Sequence, residues 1–540
     1  MQIRSDIMRI YQKLHLWCGI GAGILLFICF FAGALTMFKT EIAAWASPPA
    51  HVLPQVSLNQ LDKLLHKAQA QHPELSKGFV IHPADPRFSP LSWSNGERDH
   101  SVNLSAEHWH ATLDEQGNLI TAKVQPNKLA DLIDQLHQTA GIPGSLGHEQ
   151  LGVLIMGGAS ILYFIALISG VIVLLPTLVK SMFAIRRRKT AHRFWLDLHN
   201  LLGITALPFH IIIALTVIVF AFHDQFYGAL NQLVYKTPPS FMPRNAMQQP
   251  LDTTQLPNIS QILSSANQFN EGYQATSINV MGLGTPRAMA RIEMYNEQAL
   301  MRGPVADFLA LNPYTQQVLF STMTPGNEGV WGRIVSSFFG LHFGSYAGMP
   351  GRWLYFLLGL SGAMLFYSGN LLWLEKRRKQ QTSEQPKRVQ IMAALTVGSC
   401  LGTVVAVAAS MLLGKWLYQF IDNINYGYLW CYYLCFGLAL LYSVKIGAAR
   451  AAIHLLQLTA MICLLMPLTS LLALTIPTLG LWAPQTLATM MVDITALLAA
   501  LLLGYCTKLT RRRALTGEPD SIWAIRPSAT VKHMAPQASR

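Results

Sequence analysis

Charge is scarce in this 540-residue sequence: Asp, Glu, Lys and Arg together make up 12% of it. An average soluble protein is about one quarter charged, so a soluble enzyme and a disordered chain are both excluded. Negative charge is the scarcer kind, with Asp+Glu 27 against Lys+Arg 40 and a net charge of +13. The basic surplus does not run as a continuous stripe, which argues against nucleic acid as a partner. It sits in short clusters beside apolar runs, where it reads as membrane topology. Cysteine is missing from both long polar stretches. All seven (Cys18, Cys29, Cys400, Cys431, Cys435, Cys463, Cys506) lie in or beside apolar segments, which excludes a disulfide scaffold. Cys431 and Cys435 read as small buried hydrophobes rather than a redox pair.

Hydrophobic residues supply what charge does not, at 51% of the chain with a mean hydropathy of +0.32. A hydrocarbon core about 30 Å thick needs roughly 20 apolar residues as a helix. Eight stretches meet that length, at about 16–38, 150–178, 197–222, 352–374, 389–414, 428–447, 453–476 and 486–507. Eight alternating crossings put Arg4/Arg9/Lys13, Arg186–Lys189, Lys376–Lys379, Lys445/Arg450 and Arg511–Arg513 on one side. Positive charge stays inside, so both termini are expected in the cytoplasm of a bacterium, with the chain in its inner membrane. The polar segments 39–149 and 223–351 then face the periplasm. Ala44-Trp45-Ala46 resembles a signal-peptidase site, but the apolar run before it exceeds a normal signal core, so the first span reads as an anchor.

Compared with itself, the chain shows a tandem repeat over residues 1–378. Spans one and three open with Leu14-His15-x-x-x-Gly19 and Leu198-His199-x-x-x-Gly203. Each leads into a polar segment with a helix (about 57–72 and 259–269), strand-like patches and a hairpin (Leu113 to Leu119 and Leu311 to Leu319). Each segment closes on a Leu-His turn, Leu136-His137 and Leu341-His342, before spans two and four, which carry Ser169-Gly170 and Ser368-Gly369. Two like-oriented copies imply a pseudo-two-fold axis along the membrane normal.

Of the seventeen histidines, five behave alike or stand out. His15 and His199 occupy equivalent helix starts, and His137 and His342 equivalent turns on the other side. His210 lies near mid-span, where an ionisable group is costly and usually functional. On one straight helix His199 and His210 lie about 16 Å apart and about 20° from a shared face. Neutral imidazole is a common axial ligand of haem iron, and Gly19 and Gly203 leave room for a flat macrocycle. Repeat symmetry pairs His15 with His199 and His137 with His342, whereas the shared face puts one haem at His199 and another at His210. One haem or two is open at this stage. Bare metal transport would want carboxylates in the spans, and Asp197, Glu375 and Asp493 are thin support for it. In the polar segments His51, His66, His72, His82, His100, His108 and His110 are expected to be solvated, His110 being the exception to look for. Trp93, Trp109, Tyr273 and Tyr314 read as core rather than ligand contacts.

Leu14-His15-x-Trp17-x-Gly19 with Gly33, Asp197-Leu198-His199-x-x-x-Gly203, Leu311-Asn312-Pro313-Tyr314-Thr315 and Leu341-His342-x-Gly344 resemble the PepSY-associated transmembrane family. The resemblance covers about residues 1–378. It implies an iron-regulated inner-membrane reductase of ferric siderophores, with haem b (one or two) among the spans and PepSY modules in the periplasm. The first segment departs from the pattern, having Asp114-Glu115-Gln116-Gly117 in place of a Pro-Tyr-Thr-Gly turn. The expected architecture is an α-helical polytopic membrane protein with two α+β modules. It runs as span one (1–38), module one (39–149), spans two and three (150–222), module two (223–351), span four (352–378), four additional spans (379–510) and a cytoplasmic tail (511–540). No Gly-rich nucleotide loop or flavin signature is present in the short cytoplasmic stretches, so electrons would come from a quinol in the bilayer or a cytoplasmic protein. Two other classes fit the same sequence: a regulatory protein whose modules bind a peptide, and a siderophore or metal transporter.

Overall fold

A computed structural model describes residues 4–49, 52–94, 104–105, 107–147, 149–178, 191–233, 256–285, 287–299, 301–323, 329–377, 385–518 and 521–525. Among the described residues seven helices are long and apolar enough to cross a membrane. They are α1 (Ser5–Thr36), α5 (Leu151–Leu174), α11 (Gly348–Arg377), α12 (Lys387–Leu417), α13 (Ile424–Ile446), α14 (Ala448–Thr475) and α15 (Leu487–Thr516). The chain is therefore a multi-pass membrane protein. The expected third span differs. It is two helices, α6 (Ala191–Thr205) and α7 (Leu207–Ala221), bent by 71° at the break. Pro208 causes this: it has no N–H to offer the Ile204 carbonyl and its ring crowds that oxygen, a penalty of about 3 kcal/mol in a continuous helix. The bend overturns the expectation that His199 and His210 share one face.

The spans pack in a repeated order. Helix α1 lies against α5 and α11, α6 against α11, and α7 against α5. Short helices complete the sheet-bearing side: α2 (Lys39–Ala46), α4 (Leu129–Thr139), α8 (His223–Leu233) and α10 (Gly329–Phe343). Arg352 clamps the end of α1, donating to both Glu41 carboxylate oxygens (2.9 and 2.7 Å) and to the Met37 carbonyl (2.9 Å).

The two polar segments do not form separate sheets. The first supplies β1 (Gly78–Ile81), β2 (Leu91–Ser94), β3 (His108–Leu113) and β4 (Leu119–Val124), then a small hairpin of β5 (Ser145–Leu146) and β6 (Glu149–Gln150). The second supplies β7 (Gln274–Met281), β8 (Met289–Tyr295), β9 (Asp307–Leu311) and β10 (Val318–Ser321). They join in one eight-stranded sheet of order β10-β9-β8-β7-β1-β2-β3-β4, through antiparallel pairing of β1 with β7 from Gly78↔Met281 to Ile81↔Ile278. An unpaired strand edge exposes a row of backbone donors and acceptors, and each segment satisfies the other's. Gly78 suits the join: it has φ +150°, and an added Cβ would lie 2.7 Å from the Val280 carbonyl oxygen. Helices α3 (Leu61–Gln71) and α9 (Ile259–Phe269) cover one face, and their Leu61, Leu64, Leu65, Ile259 and Ile262 are fully buried in a single core. Each such side chain contributes about 1.5–3 kcal/mol. Asp62 on α3 even caps the other segment's helix, accepting from the Ile259 N–H at 2.6 Å. The helices and hairpins expected from the sequence appear where they were placed.

Two groups of polar contacts help attach the four additional helices, beside the Arg513–Glu375 pair between α15 and α11 (3.4 Å). Trp45 of α2 donates to Asp493 of α15 (2.9 Å), Trp482 donates to the Trp45 carbonyl (2.9 Å), and the Lys415 ammonium sits 4.0 Å from the centre of the Trp45 ring. At α13, Asn425 accepts from the Lys128 N–H (2.8 Å), Tyr428 accepts from Asn127 (2.7 Å), and Tyr433 donates to the Gly141 carbonyl (2.9 Å). These residues brace both ends of α4.

Candidate functional site

Four of the five histidines singled out from the sequence come together as two pairs. His15 on α1 and His199 on α6 have ring centres 6.1 Å apart. His137 and His342 have ring centres 6.4 Å apart. The latter two occupy the last turns of α4 and α10 rather than turns of their own. The chain reverses just after them, at Ala140 (φ +51°) and Gly344 (φ +62°). His137 lies against Gly33 of α1, eighteen residues beyond His15. That separation corresponds to about 27 Å along a helix, close to the thickness of a hydrocarbon layer of about 30 Å.

Each ring is anchored by Nδ1. His15 donates to the Ala166 carbonyl (2.8 Å), His199 to the Leu365 carbonyl (3.1 Å) with Ser368 Oγ at 3.2 Å, and His137 to the Cys29 carbonyl (3.0 Å). His342 Nδ1 lies 2.8 Å from Thr216 Oγ1, whose own hydrogen is directed to the Ile212 carbonyl at 2.8 Å, so here too the imidazole donates. All four rings therefore carry their proton on Nδ1, and among the described residues no hydrogen bond engages their Nε2 atoms. A metal-bound histidine typically gives its other N–H to a carbonyl or carboxylate in this way, which fixes tautomer and orientation.

The neighbouring spans make room for these rings by the same device twice. A Cβ on Gly170 would lie 2.9 Å from His15, and one on Gly369 would lie 3.2 Å from His199. In both cases the carbonyl that accepts from the imidazole is four residues before the glycine, one helical turn away. Ser169 and Ser368 beside them return their hydroxyls to their own helix, at 3.1 Å to Ala166 O and 2.9 Å to Leu365 O. A Cβ on Gly33 would meet His137 Nδ1 at 2.5 Å. The Ser-Gly pairs were visible in the sequence as repeated elements, but nothing local marked them as seats for histidine.

His210 stands apart. It is fully buried, and neither ring nitrogen has a hydrogen-bond partner. Phe30, Phe209 and Tyr163 surround it with ring centres 5.6–6.1 Å away. Among the described residues no second histidine ring packs against it.

Among the described residues no group of three or more His, Cys, Asp and Glu is placed to hold a metal ion. The intramembrane carboxylates have other partners: Asp197 faces Arg193 (3.9 Å), Glu375 faces Arg513 (3.4 Å) and Asp493 accepts from Trp45. Two imidazoles suit a metal whose equatorial positions are filled by a macrocycle. A metal–nitrogen bond is about 2 Å and an imidazole nitrogen about 1 Å from its ring centre, so coaxial rings on one iron have centres about 6 Å apart. Both pairs match that spacing. Their interplanar angles are 73° and 35°. The sequence has no Cys-x-x-Cys-His for covalent attachment of a haem.

In the sheet, several histidines expected in solvent are partly buried. His72 packs on Trp93 and Trp109, His82 stacks on Phe88 at 4.4 Å, and His110 meets Ser89 Oγ at 2.9 Å. His66 is exposed, while His51 and His100 lie outside the described residues. Burial pushes the His82 and His108 pKa values down to about 4, partly offset at His82 by Asp85 and reinforced at His108 by Lys128. Trp93 is buried in the sheet core, with Trp109, Tyr273 and Tyr314 against it.

Compared with known proteins, residues 12–376 match the family model described as the PepSY-associated TM region. No curated protein matches the chain.

Proposed function

The chain belongs to the PepSY-associated transmembrane family, and from that premise we propose that it is an inner-membrane ferric-siderophore reductase containing two b-type haems. One observation carries the reading: four histidines form two pairs at 6.1 and 6.4 Å, every ring anchored through Nδ1 with Nε2 left unbonded. His15 and His199 would hold one haem, and His137 and His342 the other. A haem iron with two neutral imidazole ligands supplies reversible one-electron chemistry without opening a coordination site.

The chain's own residues do the positioning. Carbonyls of Ala166, Leu365 and Cys29 and the Thr216 hydroxyl hold the proton on Nδ1, so each Nε2 presents a lone pair. Gly170, Gly369 and Gly33 let the rings lie close against neighbouring helices. The repeated Ser-Gly seats support a tandem repeat over residues 1–378, with the pseudo-two-fold axis passing between the paired rings. With the basic clusters inside, both termini are cytoplasmic and the shared sheet is periplasmic. Electrons then cross from the His15/His199 side to the His137/His342 side and reach Fe(III) in a chelate at the sheet. Hard oxygen donors hold Fe(III) tightly and the softer Fe(II) less so, so reduction loosens the chelate.

The test is an optical spectrum of the purified full chain, oxidised and dithionite-reduced, with a pyridine haemochrome count. Two haems per chain with sharp reduced α bands, re-oxidised by a ferric siderophore, are expected. A protein that stays colourless after expression with added haem would overturn the proposal and leave a peptide-binding or transport role.

A further inference from the structure

A cavity of about 670 Å³ lies inside the spans, between the family region and the four additional helices. That volume is in the range of sites for sizeable small molecules, about 300–1,000 Å³. Its walls are almost wholly apolar, with Phe31 from α1, Met411 from α12, Met466 from α14 and Leu503 from α15 among them. The end nearer the termini carries Trp195, Trp523 and Arg513, while Glu41 at the other end is held by Arg352. The indole N–H groups of Trp195 and Trp523 are buried and have no hydrogen-bond partner. A buried donor left in that state costs about 1–3 kcal/mol. Both N–H groups are closed off from the chamber as it stands, so a ligand acceptor at this end would recover that cost by turning the indoles toward it.

The charge at this end is balanced. Arg513 lies 3.4 Å from Glu375, whose side chain is 2% exposed, and its guanidinium sits 5.6 Å from the Trp195 ring centre. A phosphate would face a cation already matched by a carboxylate, whereas a neutral carbonyl or hydroxyl suits two neutral N–H donors. The position is equally specific. Trp195 is one helical turn before His199 on α6, and Tyr367, which lines the cavity, directly precedes Ser368, whose Oγ lies 3.2 Å from His199 Nδ1.

We propose that this cavity binds an isoprenoid quinol, its ring against Trp195 and Trp523 and its branched tail along the apolar walls, and that the quinol is the electron donor. This rests on the reading of His15 and His199 as the electron entrance. The balance is QH2 + 2 Fe(III) → Q + 2 Fe(II) + 2 H+. Both quinol O–H bonds break, two C=O bonds form, and the electrons leave singly toward the His15/His199 side. Each reduces one chelated ferric ion, and both protons pass to water at the Arg513 end. The family region alone does not enclose the site, which gives the additional helices a task.

The experiment is binding of decylubiquinone to the full chain in nanodiscs, followed by native mass spectrometry and tryptophan fluorescence. Wild type is expected to bind one molecule saturably. Trp195→Phe and Trp523→Phe are expected to weaken binding at least fivefold each while melting within a few degrees of wild type. Ala499→Phe, which fills the chamber from α15, is expected to do the same without touching either indole. His199→Ala is expected to bind the quinone as wild type does yet fail to pass electrons from decylubiquinol to a ferric siderophore. Binding that is absent, or indifferent to all three cavity variants, overturns the site. So does a tightly retained phospholipid that decylubiquinone does not displace. Normal quinone binding with no electron transfer in wild type would instead sink the reductase reading and leave the cavity as a quinone site of another use.

Discussion

Gly170→Ala puts one methyl group into the seat of His15. The added carbon would lie 2.9 Å from Cε1 and Nδ1, against the 3.4 Å at which such a contact becomes ordinary, so the ring must retreat by about 0.5 Å. Its hydrogen bond to the Ala166 carbonyl, now 2.8 Å, would stretch to about 3.3 Å, beyond the usual N–H···O range. Gly369→Ala is the matched perturbation at His199, where the shortfall from 3.4 Å is only about 0.2 Å. Two acceptors, Leu365 O and Ser368 Oγ, stand ready there to keep the proton on Nδ1. Disturbing the outer partner of a metal-bound histidine typically costs 10–100-fold in affinity. We expect about that loss of haem affinity in Gly170→Ala and less than about tenfold in Gly369→Ala. Titration of haem-depleted protein with haem, followed at the Soret band, measures it. Gly158→Ala on the same helix has nothing within 4 Å of the new carbon and serves as the control. The reasoning fails if both seat variants bind haem like the control, or if Gly369→Ala is the more damaged.

His210→Leu removes a fully buried imidazole whose nitrogens have no partner, so the melting temperature should hold or rise, by up to about 1–3 kcal/mol of stability. The haemochrome count should stay at two, and a count of one would make His210 a ligand. Arg352→Met strands the Glu41 carboxylate, which is 6% exposed, and should destabilise the protein in detergent by about 3–5 kcal/mol. Adding Glu41→Met should recover most of the loss, which a thermal melt of single and double variants checks. His82 and His108 are held neutral, with pKa values of about 4 against 6.5 when unfolded. Folded protein therefore binds fewer protons than unfolded protein between those values. Stability should be full above pH 6.5 and fall toward pH 4 by up to about 1.4 kcal/mol per unit for each histidine. Melts at pH 7.5 and 5.0 should show this slope, and His82→Phe should flatten it.

The spans and the five histidines were legible because both depend on local pattern: a run of apolar residues, and one short motif repeated at matching depth. The pairing of His15 with His199 was legible only as one of two alternatives, and the chain, bent at Pro208, brings those two rings to 6.1 Å. A proline in an apolar run does not announce a bend of 71°, since neighbouring helices often carry one straight through a membrane. The seats at Gly170 and Gly369 were beyond reach because their meaning lies in the helix opposite. Pairing of β1 with β7 was hidden for a similar reason: Val80 and Asn279 meet across nearly two hundred residues, and nothing in four short strands says which edge stays open. Lys415 drew no attention in the sequence, yet it is 2% exposed over an indole ring.

The shared sheet has a mechanical consequence. Two modules joined by a flexible linker could close on a ligand like jaws. Two halves laced through β1 and β7, with Asp62 of one capping a helix of the other, cannot hinge without breaking a central strand pair. Under the proposed function, a chelate docking on this platform would meet a stiff plate and orient itself to it. The plate then keeps a constant distance to the His137/His342 pair.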